Sequence, residues 1–439
     1  MGGLRPFLAR GGLSVGLAET DEVIGNPAGG VRRGADYEGL TVMGLGLDTA
    51  ALGWSGGVVD VSALQVHGRN LSGDDLGTLQ TASGIEADRS TRLWELWFQQ
   101  TLFGGRVDVK LGQQSLDQEF LVSQGSSLFV NTAMGWPIVP SLDLYAGGPA
   151  YPLSSLGVRL RARLDRNVAL LAGVFDDDPS GGPFGDDSQT RGAEQSGAAF
   201  STTNGALLIA ELQYALNPAP AAPPTLAGPS QAAPAPALPD TSPPPPGLPG
   251  IYKLGFYFDT AAFPDRHRDD HGLSLADPDS DGIPRQHRHA WSIYGVADQT
   301  LWRPAPDSPR AFGIFLRVQA GPGSASLLDL GVNGGVVLKD PLSGRDNDTA
   351  GLGFGVAKIG SAARDLDRDA ARFAGSPLPV RSAESFVELT YQAQIRPWWI
   401  LQPDLQWVLR PGGGVPRPDD PSRRVGNALV LGLRTNVNF

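Results

Sequence analysis

Arg159, Arg161 and Arg163 alternate with apolar residues along one short segment. Side chains two positions apart in an extended strand lie on the same face, so the three guanidinium groups would form one row. Each guanidinium offers five planar donors that suit hydroxyl, carboxylate or phosphate oxygens. The row therefore predicts a ladder that binds a polar ligand, or else a set of ion pairs with carboxylates on neighbouring strands. The candidate partners are Asp108, Glu388 and Asp404.

Other polar side chains occupy alternate positions in segments with the same pattern. The candidate ligand-contacting residues among them are Glu95, Trp97, Gln99, Asp108, Lys110, Glu388, Gln392, Asp404 and Gln406. Carboxylate, amide and ammonium groups can exchange hydrogen bonds with a polar solute. The chain has no cysteine, which excludes disulfides and thiolate metal sites, and the sequence predicts no metal site and no cofactor.

These residues lie in long segments in which apolar and polar residues alternate. The segments are Arg106–Leu111, Gly157–Asp165, Ala206–Leu216, Tyr252–Asp259, Phe312–Ala320, Leu328–Lys339, Phe386–Ile395, Trp399–Arg410 and 429–439. A period of two predicts strands with one apolar and one polar face. These segments are close in length to a tilted membrane strand, which has about 9–11 residues, whereas the strands of soluble proteins average about 5–6 residues. A soluble β-sandwich is the alternative interpretation.

Short and long connections alternate between these segments. Short ones are expected at 53–56, 104–105, 165–167, 304–310, 340–348 and 396–397, and long ones at 20–39, 68–91, 114–156, 176–204, 260–289, 360–384 and 411–425. An even strand number with short periplasmic turns and long outer loops is typical of bacterial outer-membrane barrels. The sequence therefore predicts an all-β fold, a single transmembrane antiparallel β-barrel of about 16 strands over residues 1–439, located in the outer membrane.

The arginine row must face the interior of such a barrel or lie beyond its hydrocarbon band. An arginine on the lipid face near the bilayer midplane costs about 2–4 kcal/mol. Three would cost about 6–12 kcal/mol, which is comparable with the net stability of a whole domain. We therefore expect Arg159, Arg161 and Arg163 to point into the lumen.

Two segments depart from the strand pattern. Residues 217–250 contain 13 prolines among 34 residues, which predicts an extended Pro/Ala-rich linker on the periplasmic side, either a plain insertion or a tether to the envelope. Residues 114–156 form an outer loop that is unusually apolar for a solvated one. We expect it to fold inward and constrict the pore, with Asp117 and Glu119 opposite the arginines, although a cap on the outer surface is the alternative.

Charge and hydropathy exclude several classes of protein. The net charge of -11 argues against non-specific binding to nucleic acid. No run approaches 18 consecutive apolar residues, as a transmembrane helix would require. Residues 1–6 lack the apolar core of a signal peptide, so the sequence is interpreted as a mature or trimmed chain, or one with a misassigned start.

Four of the five histidines fall within the predicted outer loop 260–289, and His67 lies at a strand end. The acidic run Asp277–Gly282 resembles the start of a calcium loop, but Arg288 occupies the place of the bidentate glutamate, so we expect a polar surface loop. The four clustered histidines are His267, His271, His287 and His289. Because the histidines are confined in this way, a Ser–His or Asp–His catalytic site is not expected, and the chain is not predicted to be an enzyme.

Short motifs in order along the chain resemble the carbohydrate-selective porins of the OprB type. They are Gly25–Gly30, Leu64–Gly68, Arg92–Gln100, Gly112–Gln113, Asp117-x-Glu119-Phe120, Gly135–Pro137, Pro149–Pro152, Leu156–Arg159, Glu388–Tyr391, Gln402–Asp404 and Arg410–Gly413. Each motif is weak alone, and the ordered combination is specific. The proline-rich linker departs from the family pattern.

The resemblance implies a 16-stranded channel through which monosaccharides and small sugars diffuse across the outer membrane. It also implies an inward constricting loop, outer-membrane lipid and lipopolysaccharide as surroundings, and an assembly machinery that reads the C-terminal Phe439. Trp97 would then be either an aromatic platform for a sugar ring or a lipid-facing residue at the membrane interface. A possible homo-oligomer, an anion-selective or general porin, and a structural envelope barrel tethered by the linker remain open.

Overall fold

The computed structural model describes residues 4–180, 195–200, 202, 204–218 and 247–439. Within these residues, sixteen strands pair antiparallel with their neighbours in the chain, and the last strand pairs with the first to close a barrel. The predicted all-β barrel of about 16 strands is confirmed.

The strands are β1 Leu13–Gly30, β2 Ala35–Asp48, β3 Gly57–Gly68, β4 Ser90–Leu102, β5 Val107–Gln114, β6 Ser155–Arg163, β7 Val168–Asp176, β8 Ala206–Leu216, β9 Gly250–Asp269, β10 Pro284–Trp302, β11 Ala311–Ala320, β12 Leu328–Lys339, β13 Thr349–Ile359, β14 Ala383–Arg396, β15 Trp399–Leu409 and β16 Gly426–Asn438. The α-helices are α1 Leu4–Arg10, α2 Ile138–Asp143 and α3 Ser361–Ala374. Among the described residues, none of the helices has the length and apolar character needed to cross a membrane.

The connections fall at two ends of the barrel. The end that holds the turns 49–56, 103–106, 164–167, 303–310, 340–348 and 397–398 is called the turn end, and the opposite one is the loop end. Two predicted loops are wrong in extent, because the hydrogen-bonded ladders continue beyond the expected ends of the strands. The connection predicted at 20–39 is only 31–34, and the one predicted at 260–289 is 270–283. Residues 321–327 form a short connection between β11 and β12 at the loop end, and this connection was not predicted.

The apolar side chains of the strands point outward. On β14 and β15, Leu389 is 54% exposed and Leu405 is 40% exposed, whereas Glu388 and Gln406, on the other face, are fully buried. A soluble sandwich would bury the apolar face and expose the polar one. This inverted arrangement excludes the sandwich and is the one expected when lipid surrounds a barrel.

The Pro/Ala-rich segment 219–246 lies outside the described residues, but its two flanks are described. The β8–β9 ladder is continuous from Leu207 opposite Asp259 to Leu216 opposite Gly250, and Asn217 Nδ2 donates to the Leu248 carbonyl at 3.2 Å. The ends that the segment joins are therefore already adjacent.

Deletion of Ala219 to Gly247 is expected to leave the barrel assembled, because the β8–β9 hydrogen bonds form without that segment. Heat-modifiable migration on a gel and solute flux through reconstituted protein should be nearly unchanged. A control deletion of residues 252–255 from the β9 ladder should prevent assembly. A misassembled linker variant would show that the segment contributes to the barrel.

Candidate functional site

The connection between β5 and β6, residues 115–154, lies inside the barrel and is called the inner segment. Its Leu121 N–H donates to Glu211 of β8 at 2.9 Å, and its Leu128 carbonyl accepts from Gln402 of β15 at 2.7 Å. Strands 8 and 15 are seven positions apart in a ring of sixteen, nearly half the circumference. A segment that bonds to both must cross the interior between these two strands.

Arg317 of β11 holds the middle of the inner segment. The side chain is 1% exposed, and its Nε donates to Asn333 Oδ1 at 2.9 Å. Its terminal nitrogens donate to four backbone carbonyls at 2.6–3.1 Å. These carbonyls belong to Leu121, Ala133, Met134 and Gly135. One guanidinium thus uses four of its five donors to fix the path of the inner segment, and the fifth ties it to Asn333 of β12.

The tip of the inner segment docks on a polar cluster of β14 and β15. The Glu388 carboxylate accepts from the backbone N–H groups of Val130 and Asn131. The Asn131 side chain donates to Gln406 Oε1 at 3.0 Å, and Gln406 Nε2 donates to Asp404 Oδ1 at 2.9 Å. The docking site therefore consists of three residues that were predicted to contact the ligand, Glu388, Asp404 and Gln406.

On the other side of the interior, three cations converge on Glu119 of the inner segment. Arg159 Nε lies 2.7 Å from Glu119 Oε2, Arg161 Nη2 donates to the same oxygen at 3.1 Å, and Lys110 Nζ donates to Oε1 at 3.1 Å. Burial alone would raise the pKa of Glu119, but the charges of Lys110, Arg159 and Arg161 outweigh it and hold the pKa well below its usual range. Glu119 is therefore ionised, and the predicted approach of Glu119 to the arginines is present in the structure.

The arginine row is paired more completely than a free ladder would be. Arg159 donates to Asp108 and, at 2.9 Å, to Gln99 Oε1, while Arg163 Nη1 lies 3.5 Å from Asp108 Oδ2. The row with Lys110 supplies four positive charges, and Asp108, Glu119 and Glu95 supply three negative ones. The arithmetic, 4 − 3, leaves one net positive charge among these ion-paired groups. The structure therefore shows the predicted ion pairs with Asp108, whereas Glu388 and Asp404 are not partners of the row, and the ligand-binding ladder stays a prediction.

Trp97 and Glu95 lie on the inward face of β4, as expected. The Lys110 ammonium sits 4.3 Å from the centre of the Trp97 ring, and Glu95 Oε1 accepts from the Ser115 N–H at 2.9 Å. The lysine therefore covers the ring by a cation–π contact. Trp97 does not take the lipid-facing position that was the alternative.

Asp117 does not face the arginines. Its carboxylate accepts from the Ser115 hydroxyl at 2.7 Å and from the Tyr151 N–H at 3.2 Å, which joins the two ends of the inner segment. Burial raises the pKa of Asp117 to about 6. Gln392 lies opposite Thr349 in the β13–β14 register, on the same face of β14 as Glu388. Among the described residues, neither Asp117 nor Gln392 therefore contacts the arginine row.

The histidines do not share one loop. Because β9 and β10 extend farther than predicted, His267, His287 and His289 are on strands, and only His271 is in the connection. His267 Nε2 lies 2.8 Å from Asp369 of α3, and this hydrogen bond lowers the pKa of Asp369. His267 therefore links the barrel wall to the helix at the loop end.

Sequence reasoning missed the residues that anchor the inner segment. Arg317, Glu211 and Asp298 lie on inward faces, and each bonds to a backbone group of the segment. Two features of the sequence could have indicated them. Each is a charged residue on the polar face of a strand, and the long apolar loop has many backbone groups that need hydrogen-bond partners.

Comparisons with known proteins agree with this architecture. A family model described as "Carbohydrate-selective porin, OprB family" matches residues 32–439. The chain is 26% identical to Porin B of Pseudomonas aeruginosa over 456 residues, with 100% of this chain and 90% of that protein covered. A solved structure of Pseudomonas putida OprB at high pH has the same fold, with a TM-score of 0.82 at 24% identity, covering 100% of this chain and 97% of that one.

The matched region includes every strand except β1, together with the inner segment and the arginine row. The chain therefore belongs to the carbohydrate-selective porin family OprB and is a β-barrel channel of the outer membrane through which carbohydrates pass.

Proposed function

We propose that the inner segment constricts the channel and that sugars pass it along the arginine cluster. The observation that carries this proposal is the contact of Glu119, on the inner segment, with Arg159, Arg161 and Lys110, on the wall. This contact puts donors and acceptors side by side at the place where the segment meets the wall. A sugar ring presents both kinds of group around its rim, so it can replace several of these hydrogen bonds at once.

The pairing of the arginines supports sugars over anions as the preferred solutes. An anion porin needs an unbalanced positive field, whereas here four cations face three carboxylates. Binding must also be weak enough for release, and millimolar affinity, about 4 kcal/mol, would suit a diffusive channel. A sugar that must displace existing ion pairs to form its own hydrogen bonds gains little net free energy, so its binding would be weak enough for release.

Liposome swelling tests the proposal directly. Vesicles that contain the purified protein should swell faster in glucose than in an amino acid of similar hydrodynamic size and zero net charge. They should swell more slowly in a disaccharide than in glucose. Sugar should also reduce single-channel ion current, and reversal potentials should show only a weak preference for anions. Strong anion selectivity without sugar block would contradict the proposal and favour an anion porin.

The surroundings of the barrel are assigned on general grounds. Bacterial barrels keep short turns in the periplasm, so we place the turn end, and with it the linker 217–250, on the periplasmic side. Phe439 lies at that end, where its N–H donates to the Leu17 carbonyl at 2.9 Å and its ring is 54% exposed. The exposed ring supports its recognition by the outer-membrane assembly machinery. Lipopolysaccharide and phospholipid would contact the apolar outer face.

A further inference from the structure

The outward face of β1, β2 and β3 carries polar side chains in the middle of the apolar band. Glu22 of β1 is buried and pairs with Arg434 inside the barrel, so its neighbours Asp21 and Val23 point outward. Val23 is 61% exposed, and Leu433, which lies opposite Val23 on β16, is 47% exposed. Apolar side chains therefore border the polar residues along the strands, as they border lipid elsewhere on the barrel.

Two carboxylates and one imidazole meet on this face. His67 Nε2 of β3 lies 3.9 Å from Glu19 Oε1 and 3.8 Å from Asp21 Oδ1, and the three potential ligand atoms all lie within 4.8 Å of one another. The Tyr37 hydroxyl donates to Asp21 and is 3.1 Å from His67 Nε2. Zinc bound to nitrogen and oxygen ligands at about 2.0–2.2 Å separates them by roughly 3.3–3.6 Å, so small side-chain movements would close the site.

The surroundings of His67 fix its orientation. His67 Nδ1 lies 2.9 Å from the Gln65 amide oxygen, an acceptor, so Nδ1 carries the proton of the neutral ring. The lone pair of Nε2 then points to the two carboxylates. A second partner that holds the far nitrogen in this way is typical of metal-binding histidines. Gly39 lies under the ring, and a Cβ at that position would clash with it.

The charges favour a cation at this place. Glu19 and Asp21 bring two negative charges to a face that apolar side chains border, and the ion-pair partner that each has among the described residues is His67. A protonated His67 would leave one negative charge, whereas a neutral His67 with a divalent ion leaves none. Ionised carboxylates in the hydrocarbon region are costly, so full neutralisation is favoured.

We propose that Glu19, Asp21 and His67 bind one divalent transition-metal ion of the zinc class on the outer face of the barrel, with the Tyr37 phenol or water as a fourth ligand. The ion joins β1 and β3 across β2, next to the β1–β16 pairing that closes the barrel. It would therefore stabilise the closed barrel without taking part in transport.

Refolding with and without zinc tests this inference on the full chain. Protein refolded in detergent with zinc, then dialysed, should retain one zinc per chain by elemental analysis. At a hundredfold excess of zinc over its Kd, the ratio of folded to unfolded protein should rise about a hundredfold, and chelator should reverse this gain. The conversion temperature of the heat-modifiable band reports the same shift. The ion is supplied during refolding because the bilayer would restrict later access.

The His67→Gln variant should retain no zinc and show no zinc-dependent gain in stability, and the double variant Glu19→Gln with Asp21→Asn should behave in the same way. The matched control is His271→Ala, because Asp270, His271 and Asp281 form a similar group that is exposed to water. This control should keep both the stoichiometry and the gain.

Three outcomes would overturn the proposal. These are the absence of zinc from the wild type, its retention in His67→Gln, and its loss only in the His271→Ala control. A change in the size of the detergent complex on His67→Gln, with no zinc bound to the wild type, would instead identify a contact with a second copy of the chain. If the double carboxylate variant fails to fold, His67→Gln alone decides the result.

Discussion

Replacement of Arg317 by methionine is expected to release the inner segment and raise the single-channel conductance. Arg317 uses five donors to hold four backbone carbonyls and Asn333, and methionine fills a similar volume with none. The freed carbonyls of the buried residues Leu121, Ala133 and Met134 stay without donors until the segment moves and water reaches them. The segment would then sample positions away from β11, and the passage would widen.

The expected size of this effect is large. A buried acceptor left without its donor costs about 1–3 kcal/mol, and this variant frees four carbonyls, three of them on buried residues, so a total of about 3–4 kcal/mol is a conservative expectation. Every 1.4 kcal/mol is about tenfold in an equilibrium constant, so the ratio of docked to undocked segment should fall by roughly 10²–10³. Conductance in planar bilayers and swelling rates with disaccharides should both increase, while the barrel itself stays assembled.

Arg345→Met is the matched control, because Arg345 lies in the turn between β12 and β13 and its side chain is 40% exposed. It should leave conductance and swelling unchanged. A variant at Arg317 that conducts like the wild type, with an unchanged solute size limit, would show that the inner segment does not govern the width of the passage.

A second large effect is expected when Arg159, Arg161 and Arg163 are all replaced by alanine. The charge of the cluster changes from +1 to −2, since three positive charges are removed from a net of one. Ion selectivity should shift toward cations, and sugars should lose their advantage over other solutes of similar size. The barrel should survive, because side chains on the interior do not contact lipid.

Protonation of Glu119 gives this variant a pH signature. In the wild type the neighbouring cations keep the pKa of Glu119 well below its usual range, so its charge is constant as the pH falls to 5. Without the arginines that pKa should rise, and acidification should neutralise Glu119 and weaken the cation preference. Reversal potentials measured between pH 7 and pH 4 would show the difference.

The triple lysine variant of the same positions separates charge from hydrogen bonding. It keeps three positive charges but lacks the planar donors, so ion selectivity should remain while sugar discrimination falls. An alanine variant with unchanged sugar response would exclude the arginine row from transport. A gain in thermal stability, with selectivity unchanged, would mean that these side chains face lipid.

The strands and their inward faces could be predicted because membrane barrels repeat one local rule. Alternation along Arg159 to Arg163 assigns each side chain to a face without any knowledge of the neighbouring strand. The ends of the strands could not be predicted in the same way. The β9–β10 pair extends into residues such as His267 and His287 that are polar on both faces, because beyond the membrane no lipid imposes the alternation.

The roles of the interior side chains depend on contacts between distant parts of the chain. Glu388 and Gln406 are on the predicted inward face, but their partner Asn131 lies more than 250 positions earlier in the sequence. A long apolar loop indicates only that the segment needs a surface to cover it. Which strand supplies each hydrogen bond follows from the closed geometry of the barrel, and local patterns do not contain that information.

The separation between Asn131 and its partners also sets an order of events during biogenesis. The inner segment leaves the translocation machinery before β14, β15 and β16, so its tip has no docking site while the chain is still arriving. Contacts of such long range form late, because the chain between them must first be ordered. The pairing of β1 with β16 that closes the wall spans a still longer range, 412 positions between Glu22 and Arg434, so by the same rule the constriction is set before the wall closes. A barrel that closes around an inner segment already docked on β14 and β15 would enter the membrane without a wide, leaky stage.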